Sequence, residues 1–486
     1  MAVSRQKPEI CQAGPYFAAM AKKQVSAAAP APANRPPYML IEEIRVHGYK
    51  SLVDATLHVR PLTLLAGTNS SGKSSIMQPL LLIKQTMEAN YNPASSLVLD
   101  GAHVQAETAG ELVSKIGGSN KVLSLSIRGE ERHESEDLSL EFESEYTVIE
   151  DSFLLSKQTL RNIDKDQEIE LTPQMSWADA YSQLSYNITV SDSPPSYIID
   201  ESKPTEIFNG NGELILLNGF LELKLAAAQK PSITIKFSHP IVAVLGILMH
   251  IPALRILPKR TYPHSALQEQ IKGTFDLYAA GTVSQWQEQQ DTEKLAKLND
   301  YLRRLGLTDS VTAKVKNANE VELSVSRLPA GSKGKPRKAD MVNIADVGIG
   351  VSQVLPILVA LIAAQEGQIV YVEQPELHLH PRAQVAMAEL LAEAANRGVR
   401  VIVETHSSLL LLTVQTLIAQ NRIKNTDVAL HWFARDAKGA TTVEYIQPDE
   451  DGAYGTWPED FGDVELKAQD AYLTAVGERH FGNAAN

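Results

Sequence analysis

Apolar residues in the last third of the chain form short continuous runs that alternate with longer stretches of helical spacing. The runs at 368–372 and 399–403 predict strands, and the stretches at 351–364, 383–396 and 409–420 predict helices. Continuous apolar strands separated by helices are typical of a parallel sheet that is covered on both faces. The sequence therefore predicts an α/β core in this part of the chain.

The first half of the chain has a different pattern. Alternating residues predict a strand from Met39, the apolar run at 62–66 predicts a buried strand, and the apolar positions after Ser74 have helical spacing. From about 120 to 237, alternating and β-branched segments between turn residues predict mainly strands. Helical spacing returns at 240–254.

These patterns predict a division of the chain into segments. Residues 1–37 combine Ala-Pro and Pro-Pro sequences without apolar periodicity, which predicts a disordered leader. One domain is expected in two parts, 38–130 and 238–446, separated by a β-rich insertion at 131–237 and followed by a small C-terminal region at 447–486. The apolar runs are too short to span a membrane and there is one cysteine, so a cytoplasmic protein without membrane association is expected.

Composition narrows the range of partners. The 486 residues carry a net charge of −13, so general attraction to nucleic acid is not expected and DNA contact would need a local basic face. The most basic stretch, 332–338, is interpreted as a solvated loop, with a contact to phosphate or to an acidic partner as the alternative. Arg255, Lys259 and Arg260 form a second basic group, for which a phosphate or DNA contact and a surface ion-pair face are both open.

A phosphate-binding motif stands between the predicted strand at 62–66 and the helix that follows. Residues 67–74 read Gly-Thr-Asn-Ser-Ser-Gly-Lys-Ser, a complete G-x-x-x-x-G-K-S loop in the strand-loop-helix context that the motif requires. Backbone N–H groups of such a loop surround phosphates, the lysine adds charge and the last serine can ligate Mg²⁺. The candidate residues for ATP are Gly67, Asn69, Gly72, Lys73, Ser74 and Ser75, with Ser74 also a Mg²⁺ ligand.

Three further motifs carry candidate chemistry. Glu373 ends an apolar strand, as a Walker B acid does when it holds Mg²⁺ directly or through water. His406 follows the next apolar strand, which we predict beside the first, so that it could reach the γ-phosphate as a switch residue. The segment 346–353 places Gly350 and Ser352 at a helix N-terminus, which indicates either a second anion-binding arrangement or an ordinary Gly-rich turn.

The order and spacing of these motifs resemble the ABC-type ATPases of the SMC, RecF and OLD clade, and more closely a bacterial subgroup of AAA-type ATPases. The resemblance covers roughly 38–120 and 240–462. It implies an α/β fold, an ABC-type P-loop ATPase with a largely parallel sheet, an antiparallel β subdomain and a β-rich insertion. The resemblance rests on Asn69, Pro375-Glu376, Leu379-His380-Pro381, Thr405-His406-Ser407 and the run 347–356.

The resemblance implies a homodimer, or a larger homo-oligomer, that closes around ATP and Mg²⁺. Lys73 and Ser74 of one subunit would hold the nucleotide, and Gly350 and Ser352 of the other would cap its γ-phosphate. The interval between these motifs lacks sustained heptads, so an armless member of the clade is expected.

One departure from the clade affects catalysis. Gln374 stands where the clade has a catalytic glutamate, and an amide can position water but cannot accept its proton. Either hydrolysis is slow and ATP acts as a clamp, or another acid substitutes, with Glu404 the first candidate and Glu376 the second. A zinc cluster of Glu376, His378 and His380 is the weaker interpretation of residues that match the D-loop of the clade.

By this resemblance the chain is expected to be the sensor or scaffold ATPase of a bacterial antiphage defence system. A phage trigger and a separate effector, such as a nuclease or toxin, would be its partners. The alternative is a RecF- or SMC-like ATPase that binds DNA in repair or recombination. A transporter engine is disfavoured by the β-rich insertion and by Asn69.

Overall fold

The fold is described here from a computed structural model. It describes residues 39–89, 96–116, 121–131, 137–176, 179, 212–217, 220–225, 233–235, 240–264, 270–327, 340–455 and 470–476. The predicted leader and the basic stretch at 332–338 lie outside these residues.

The strands are β1 (Met39–Tyr49), β2 (Leu52–His58), β3 (Leu62–Gly67), β4 (Val122–Glu131), β5 (Leu138–Ile149), β6 (Ser152–Asn162), β7 (Gln167–Leu171), β8 (Gly212–Leu217), β9 (Phe220–Leu225), β10 (Ile233–Ile235), β11 (Met249–Ile251), β12 (Tyr262–Pro263), β13 (Val311–Asn317), β14 (Glu320–Ser326), β15 (Met341–Asn343), β16 (Ile369–Glu373), β17 (Arg400–Glu404), β18 (Val428–Arg435) and β19 (Thr441–Ile446). The α-helices are α1 (Gln78–Glu88), α2 (Ala109–Leu112), α3 (Pro240–Ile247), α4 (Ala279–Glu288), α5 (Thr292–Arg304), α6 (Ile349–Ala363), α7 (Pro381–Ala395) and α8 (Ser408–Ala419). Among the described residues, no helix combines the length and the apolar character that crossing a membrane requires.

A six-stranded sheet of order β11-β16-β17-β3-β18-β19 forms the α/β core. The first five strands are parallel, and β19 joins the edge antiparallel to β18. Its central strands are buried along nearly their whole length because helices cover both faces. The predicted α/β core is confirmed, and β3, the strand before the phosphate loop, lies between β17 and β18.

Helix α6 is the most deeply buried of the helices that cover this sheet. Every residue from Val351 to Ile362 is buried, so the helix is apolar on all sides rather than on one stripe. It packs against α4, α5 and α7. This enclosure fixes the position of the Gly-rich turn that precedes the helix.

A second six-stranded sheet, of order β2-β1-β4-β5-β6-β7, is antiparallel throughout. Its inner face carries alternating residues such as Val46, Ile127 and Phe142, which share a core with helices α1 and α3. The range 131–237 therefore adds β5–β7 to a sheet that begins before it, and β8–β10 pair with one another in a separate antiparallel sheet. A small antiparallel sheet of β12, β14, β13 and β15 lies in the later half of the chain.

The predicted helix at 240–254 is wrong in its second half. Helix α3 ends at Ile247, and Met249–Ile251 form strand β11, which pairs parallel with β16. A short buried apolar run fits a helix and a strand equally well, and here pairing with the exposed edge of β16 decides. Strand β11 thereby brings His250 beside Tyr371, near the end of β16.

Candidate functional site

The phosphate loop is packed so closely against β18 and β19 that two of its positions accept only glycine. Gly67 has φ +145°, and a Cβ there would lie 2.1 Å from the Phe433 carbonyl oxygen. Gly72 has φ +99°, and a Cβ there would lie 2.6 Å from Thr441 Oγ1. Asn69 lies between them and is exposed. The two glycines therefore set the curvature that a phosphate-binding loop needs.

The side chain of Lys73, near the end of the loop, is buried. Its Nζ donates to the carbonyl oxygens of Gly67 at 3.1 Å and Thr68 at 2.7 Å. Burial lowers the pKa of Lys73, and the charges of Glu404 and Glu376 oppose that shift. The ammonium group is thus held at the loop by backbone carbonyls, with two carboxylates close enough to act on it.

Glu404, at the end of β17, is the carboxylate that faces the last serine of the motif. Ser74 Oγ donates to Glu404 Oε1 at 2.9 Å, and Tyr371 Oη donates to Glu404 Oε2 at 3.3 Å. Burial raises the pKa of Glu404, and the charge of Glu373 adds to the shift. This contact follows from the sheet order, because β17 is the direct neighbour of β3.

Glu373, at the end of β16, lies one strand further from the loop. Its Oε1 is 3.1 Å from His250 Nε2, and its Oε2 accepts from the Ala253 N–H at 3.1 Å. Burial acts to raise the pKa of Glu373, but the hydrogen bonds from His250 and Ala253 outweigh it, so the net pKa is lowered. Glu373 is therefore a carboxylate whose two oxygens are both oriented by fixed partners.

The turn after β16 brings a second carboxylate to His406. Gln374 has φ +44° and its N–H donates to the Glu404 carbonyl at 2.8 Å, which joins the ends of β16 and β17. Glu376 Oε1 accepts from the His406 N–H at 2.7 Å, and burial raises the pKa of Glu376. Partial burial and the charge of Lys73 lower the pKa of His406. The residues that meet at this end of the sheet are Lys73, Ser74, Glu373, Gln374, Glu376, Glu404 and His406.

Two of the predicted nucleotide-binding residues lie elsewhere. Gly350 and Ser352 stand in the first turn of α6, where Ser352 Oγ donates to the Ile349 carbonyl at 2.8 Å. A Cβ on Gly350 would lie 3.7 Å from the carbonyl oxygen of His378, in the turn after β16. Within the described residues, no hydrogen bond joins these two residues to the phosphate loop of their own chain. Ser75, by contrast, donates its N–H to Gly72 and starts the turn that leads into α1.

The basic group 255–260 divides into two parts with different roles. Arg255 is 5% exposed, and its Nη2 donates to the carbonyl oxygens of Glu373 at 2.6 Å and Gln374 at 3.3 Å. Arg260 is exposed and pairs with Asp346 at 2.8 Å. Arg260 therefore fits the surface ion-pair interpretation, whereas Arg255 fits neither alternative because it is buried against backbone carbonyls of its own chain.

The oxygen atoms at the site fit Mg²⁺ better than zinc. Ser74, Glu404 and Glu373 offer hydroxyl and carboxylate oxygens, the ligands that hard cations prefer. No group of three or more His, Cys, Asp or Glu side chains in the described part of the chain is placed to hold a metal ion, so the zinc interpretation has no support there. Mg²⁺ usually takes one or two protein ligands and completes its shell with phosphates and water. His380 has another task, since its Nδ1 accepts from the Arg382 N–H at the start of α7.

Sequence reasoning missed two residues of the site. Tyr371 carries a hydroxyl in an otherwise apolar strand, two positions before Glu373 and therefore on the same face of the sheet, and this signal could have identified it. His250 gave no such signal, because it lies in a run with helical spacing.

Two family models match the chain. Residues 39–240 match the family described as "AAA ATPase domain", and residues 274–412 match the family described as "AAA domain, putative AbiEii toxin, Type IV TA system". The first match contains the phosphate loop and the second contains Gln374, Glu404, His406 and the start of α6. These matches support ATPase activity and nucleotide binding. No curated protein matches the chain.

Solved structures similar to this chain include SMC head domains. One is the SmcHead bound to the C-winged helix domain of ScpA, 11% identical with a TM-score of 0.41, covering 84% of this chain and 98% of that one. Another is the Smc head domain with an extended coiled coil bound to the C-terminal domain of ScpA derived from Pyrococcus furiosus, 10% identical with a TM-score of 0.40, covering 84% and 96%. A third is the SMC head domain from Thermotoga maritima, 11% identical with a TM-score of 0.34, covering 84% and 99%.

Proposed function

We propose that this chain binds ATP with Mg²⁺ at loop 67–74 and forms a homodimer or larger homo-oligomer around the nucleotide. The observation that carries the proposal is the bond from Ser74 Oγ to Glu404 Oε1, 2.9 Å long, beside the buried Lys73. The Ser74 hydroxyl offers Mg²⁺ a protein ligand, Glu404 holds that hydroxyl in place, and Lys73 offers a positive charge to the phosphates. Glu373 would hold the same ion directly or through water.

The position of α6 supports a nucleotide shared between two subunits. Gly350 and Ser352 lie at the N-terminus of a 15-residue buried helix, beside the turn after β16. A helix N-terminus attracts phosphate, but this one makes no hydrogen bond to the loop of its own chain within the described residues. In the proposed dimer it faces the loop of the other subunit and caps the γ-phosphate there.

Hydrolysis is proposed to be slow, with ATP binding as the main signal. Gln374 cannot accept a proton from water, and its left-handed backbone is fixed by the N–H bond to Glu404. Glu404 is the proposed base, supported by its raised pKa, since a base works best with a pKa near the working pH. Glu376 is the second candidate. Its pKa is also raised, and its Oε2 is buried without a hydrogen-bond partner in the described residues. His406 is proposed to read the γ-phosphate.

The proposed biological role is that of a cytoplasmic sensor or scaffold in bacterial antiphage defence, with a phage trigger and a separate nuclease or toxin effector. Support comes from the match of residues 274–412 to a family whose description names an AbiEii toxin and a type IV TA system. The net charge of −13 argues against the alternative of a DNA repair clamp. In that alternative, ATP would induce DNA binding that weakens steeply with salt.

The mass of the protein in solution, with and without ATP and Mg²⁺, tests the dimer. We expect ATP to enlarge the wild-type assembly and to leave Lys73→Ala unchanged, because that variant removes the charge at the phosphates. Lys424→Ala, which removes an exposed lysine after α8, is the control and should respond like the wild type. A wild-type mass that is the same in all conditions, together with undetectable ATP binding, would refute the proposal.

Turnover tests the proposed base. Glu404→Gln is expected to abolish the slow hydrolysis, and Glu376→Gln to reduce it less. Wild-type turnover of about 1 per second or faster that survives Glu404→Gln would refute the role of Glu404.

A further inference from the structure

A buried chain of polar contacts runs from Glu373 away from the phosphate loop. His250 Nε2 is 3.1 Å from Glu373 Oε1, and His250 Nδ1 is 2.9 Å from His103 Nδ1. His103 Nε2 is 3.2 Å from Glu88 Oε2, and Glu88 Oε1 is 3.0 Å from Lys84 Nζ. We call these five residues the buried ladder. It joins the end of β16 to the C-terminal end of α1.

Three of the five ladder side chains lie almost entirely away from solvent. The side chains of His103, Lys84 and His250 are 0%, 1% and 2% exposed. Removing charged groups from water is costly, and buried ion pairs often stabilise a fold no more than apolar side chains of the same volume would. A contribution to stability alone therefore does not explain why charged and imidazole groups occupy these positions instead of apolar ones.

The far end of the ladder is fixed by backbone groups of two other segments. Lys84 Nζ donates to the carbonyl oxygens of Leu245 at 2.9 Å and Ile271 at 2.8 Å. Glu88 Oε2 accepts from the Gly273 N–H at 2.9 Å. The partners of Glu88 lower its pKa to about 2 against the opposing effect of burial, so it is a carboxylate at neutral pH. The ladder thus has a rigid support.

The near end is fixed by ring packing. The imidazole of His250 stacks on the ring of Tyr371, with centroids 5.2 Å apart and an interplanar angle of 13°. Tyr371 is fully buried in β16 and donates to Glu404. A rotation of the His250 ring would therefore break its contact with Glu373 and its stacking on Tyr371, the residue that binds Glu404.

Helix α1 connects the two ends of this arrangement. It follows directly after the loop that carries Ser74, and its last turns carry Lys84 and Glu88. The short turn that leads into α1 reaches Glu404 through Ser74, and the last turn of α1 reaches Glu373 through the two histidines. A movement of α1 relative to the sheet would therefore act on both carboxylates.

We propose that His250, His103 and Glu88 are positioning residues that set the orientation of the Glu373 carboxylate for the metal ion that accompanies the nucleotide. The inference rests on the proposed function, in which Glu373 serves Mg²⁺. Residues that orient a metal-binding group from behind typically change metal affinity or activity by about 10- to 100-fold when they are altered. Glu88 acts in this way through two intervening side chains.

The test measures metal dependence rather than turnover. The affinity of the protein for a fluorescent ATP analogue is measured in EDTA and across a Mg²⁺ titration. Binding of Mn²⁺ to the complex of protein and nucleotide is followed by electron paramagnetic resonance. The variants are His103→Gln and, in case that one does not fold, Glu88→Gln; neither touches Glu373. The control is Thr86→Val, on the same helix. Thr86 is 0% exposed, and its Oγ1 accepts from the Val98 N–H at 2.9 Å and donates to the Leu82 carbonyl at 2.7 Å, so it holds the same neighbouring segment without bonding a ladder residue.

We expect each ladder variant to need at least about 10-fold more Mg²⁺ or Mn²⁺ for half-saturation, with metal-free nucleotide affinity unchanged. Thr86→Val should lower the melting temperature and keep the wild-type metal dependence. Unchanged metal dependence in folded ladder variants, or an equal loss in Thr86→Val, would overturn the inference while the proposed function stands. A wild type that binds no nucleotide in any condition would instead remove the proposed function, and the inference with it.

Discussion

His431 makes the sheet that carries the phosphate loop sensitive to mild acid. It lies on β18, in register with Leu65 of β3, and is 0% exposed. Its Nε2 is 3.0 Å from the His58 carbonyl oxygen, and its Nδ1 has no hydrogen-bond partner in the described residues. A proton added at Nδ1 would therefore be buried without an acceptor. The rings of His58 and Tyr445 are its aromatic neighbours.

The size of the effect follows from the pKa of this group. Burial lowers the pKa of His431 to about 4 from the ordinary 6.5, although the hydrogen bond to the His58 carbonyl oxygen acts to raise it. Between these two values the unfolded chain binds a proton that the folded chain does not, so the free energy of unfolding falls as the pH falls. Each unit of pKa difference is worth about 1.4 kcal/mol, which gives a full loss of about 3 kcal/mol and about 2 kcal/mol between pH 7.5 and pH 5.

Urea unfolding of the wild type and His431→Gln at pH 7.5 and pH 5 measures this loss. Glutamine keeps a donor for the His58 carbonyl but does not titrate. We expect the free energy of unfolding to fall by about 2 kcal/mol less in the variant than in the wild type over this range. An equal fall in both proteins would show that His431 is protonated as readily in the folded as in the unfolded chain, and the reasoning would fail.

Three further substitutions test other parts of the structure. Gly67→Ala should lower the melting temperature more than Gly439→Ala. Both residues have positive φ, but only at Gly67 would an added Cβ meet a backbone oxygen. Equal losses of melting temperature would contradict the steric argument. Arg255→Lys should cost about 1–3 kcal/mol in urea unfolding, since the Glu373 and Gln374 carbonyls both accept from Arg255 Nη2 and would lose that donor. A change within error would mean that those carbonyls find other partners. Leu358, in α6, is 0% exposed, and Leu358→Ala should lower the free energy of unfolding by about 2–5 kcal/mol. Leu412, in α8, is 57% exposed, and Leu412→Ala should change it by no more than about 0.5 kcal/mol. Similar values for the two variants would refute the burial of α6.

The local features of the site could be predicted from sequence because local spacing determines them. Loop 67–74 needs its glycines where the chain meets Phe433 and Thr441, and the G-x-x-x-x-G-K-S spacing records that need. The strands that end at Glu373 and Glu404 could be found because each is a continuous apolar run between helices.

The arrangement of strands within the sheet could not be predicted in the same way. The sequence suggests Ser74 and Glu373 as metal ligands together, whereas β17 lies between β3 and β16 and brings Glu404 to Ser74. Strand order depends on pairing between distant segments, for which no local pattern exists. The strand that carries His250 was missed for the same reason, since the edge of β16 turns an apolar run that could be helical into a strand.

The position of β3 has a consequence for synthesis on the ribosome. Its two neighbours in the sheet, β17 and β18, are about 330 or more residues further along the chain. At roughly 5–20 residues per second, the ribosome needs roughly 15 to 70 seconds to make that interval, during which the apolar strand 62–67 has neither partner. Unpaired strand edges in nascent chains favour aggregation, so this segment is a candidate for chaperone binding. The phosphate loop is made early, but the strands against which Gly67 and Gly72 pack are made near the end of the chain.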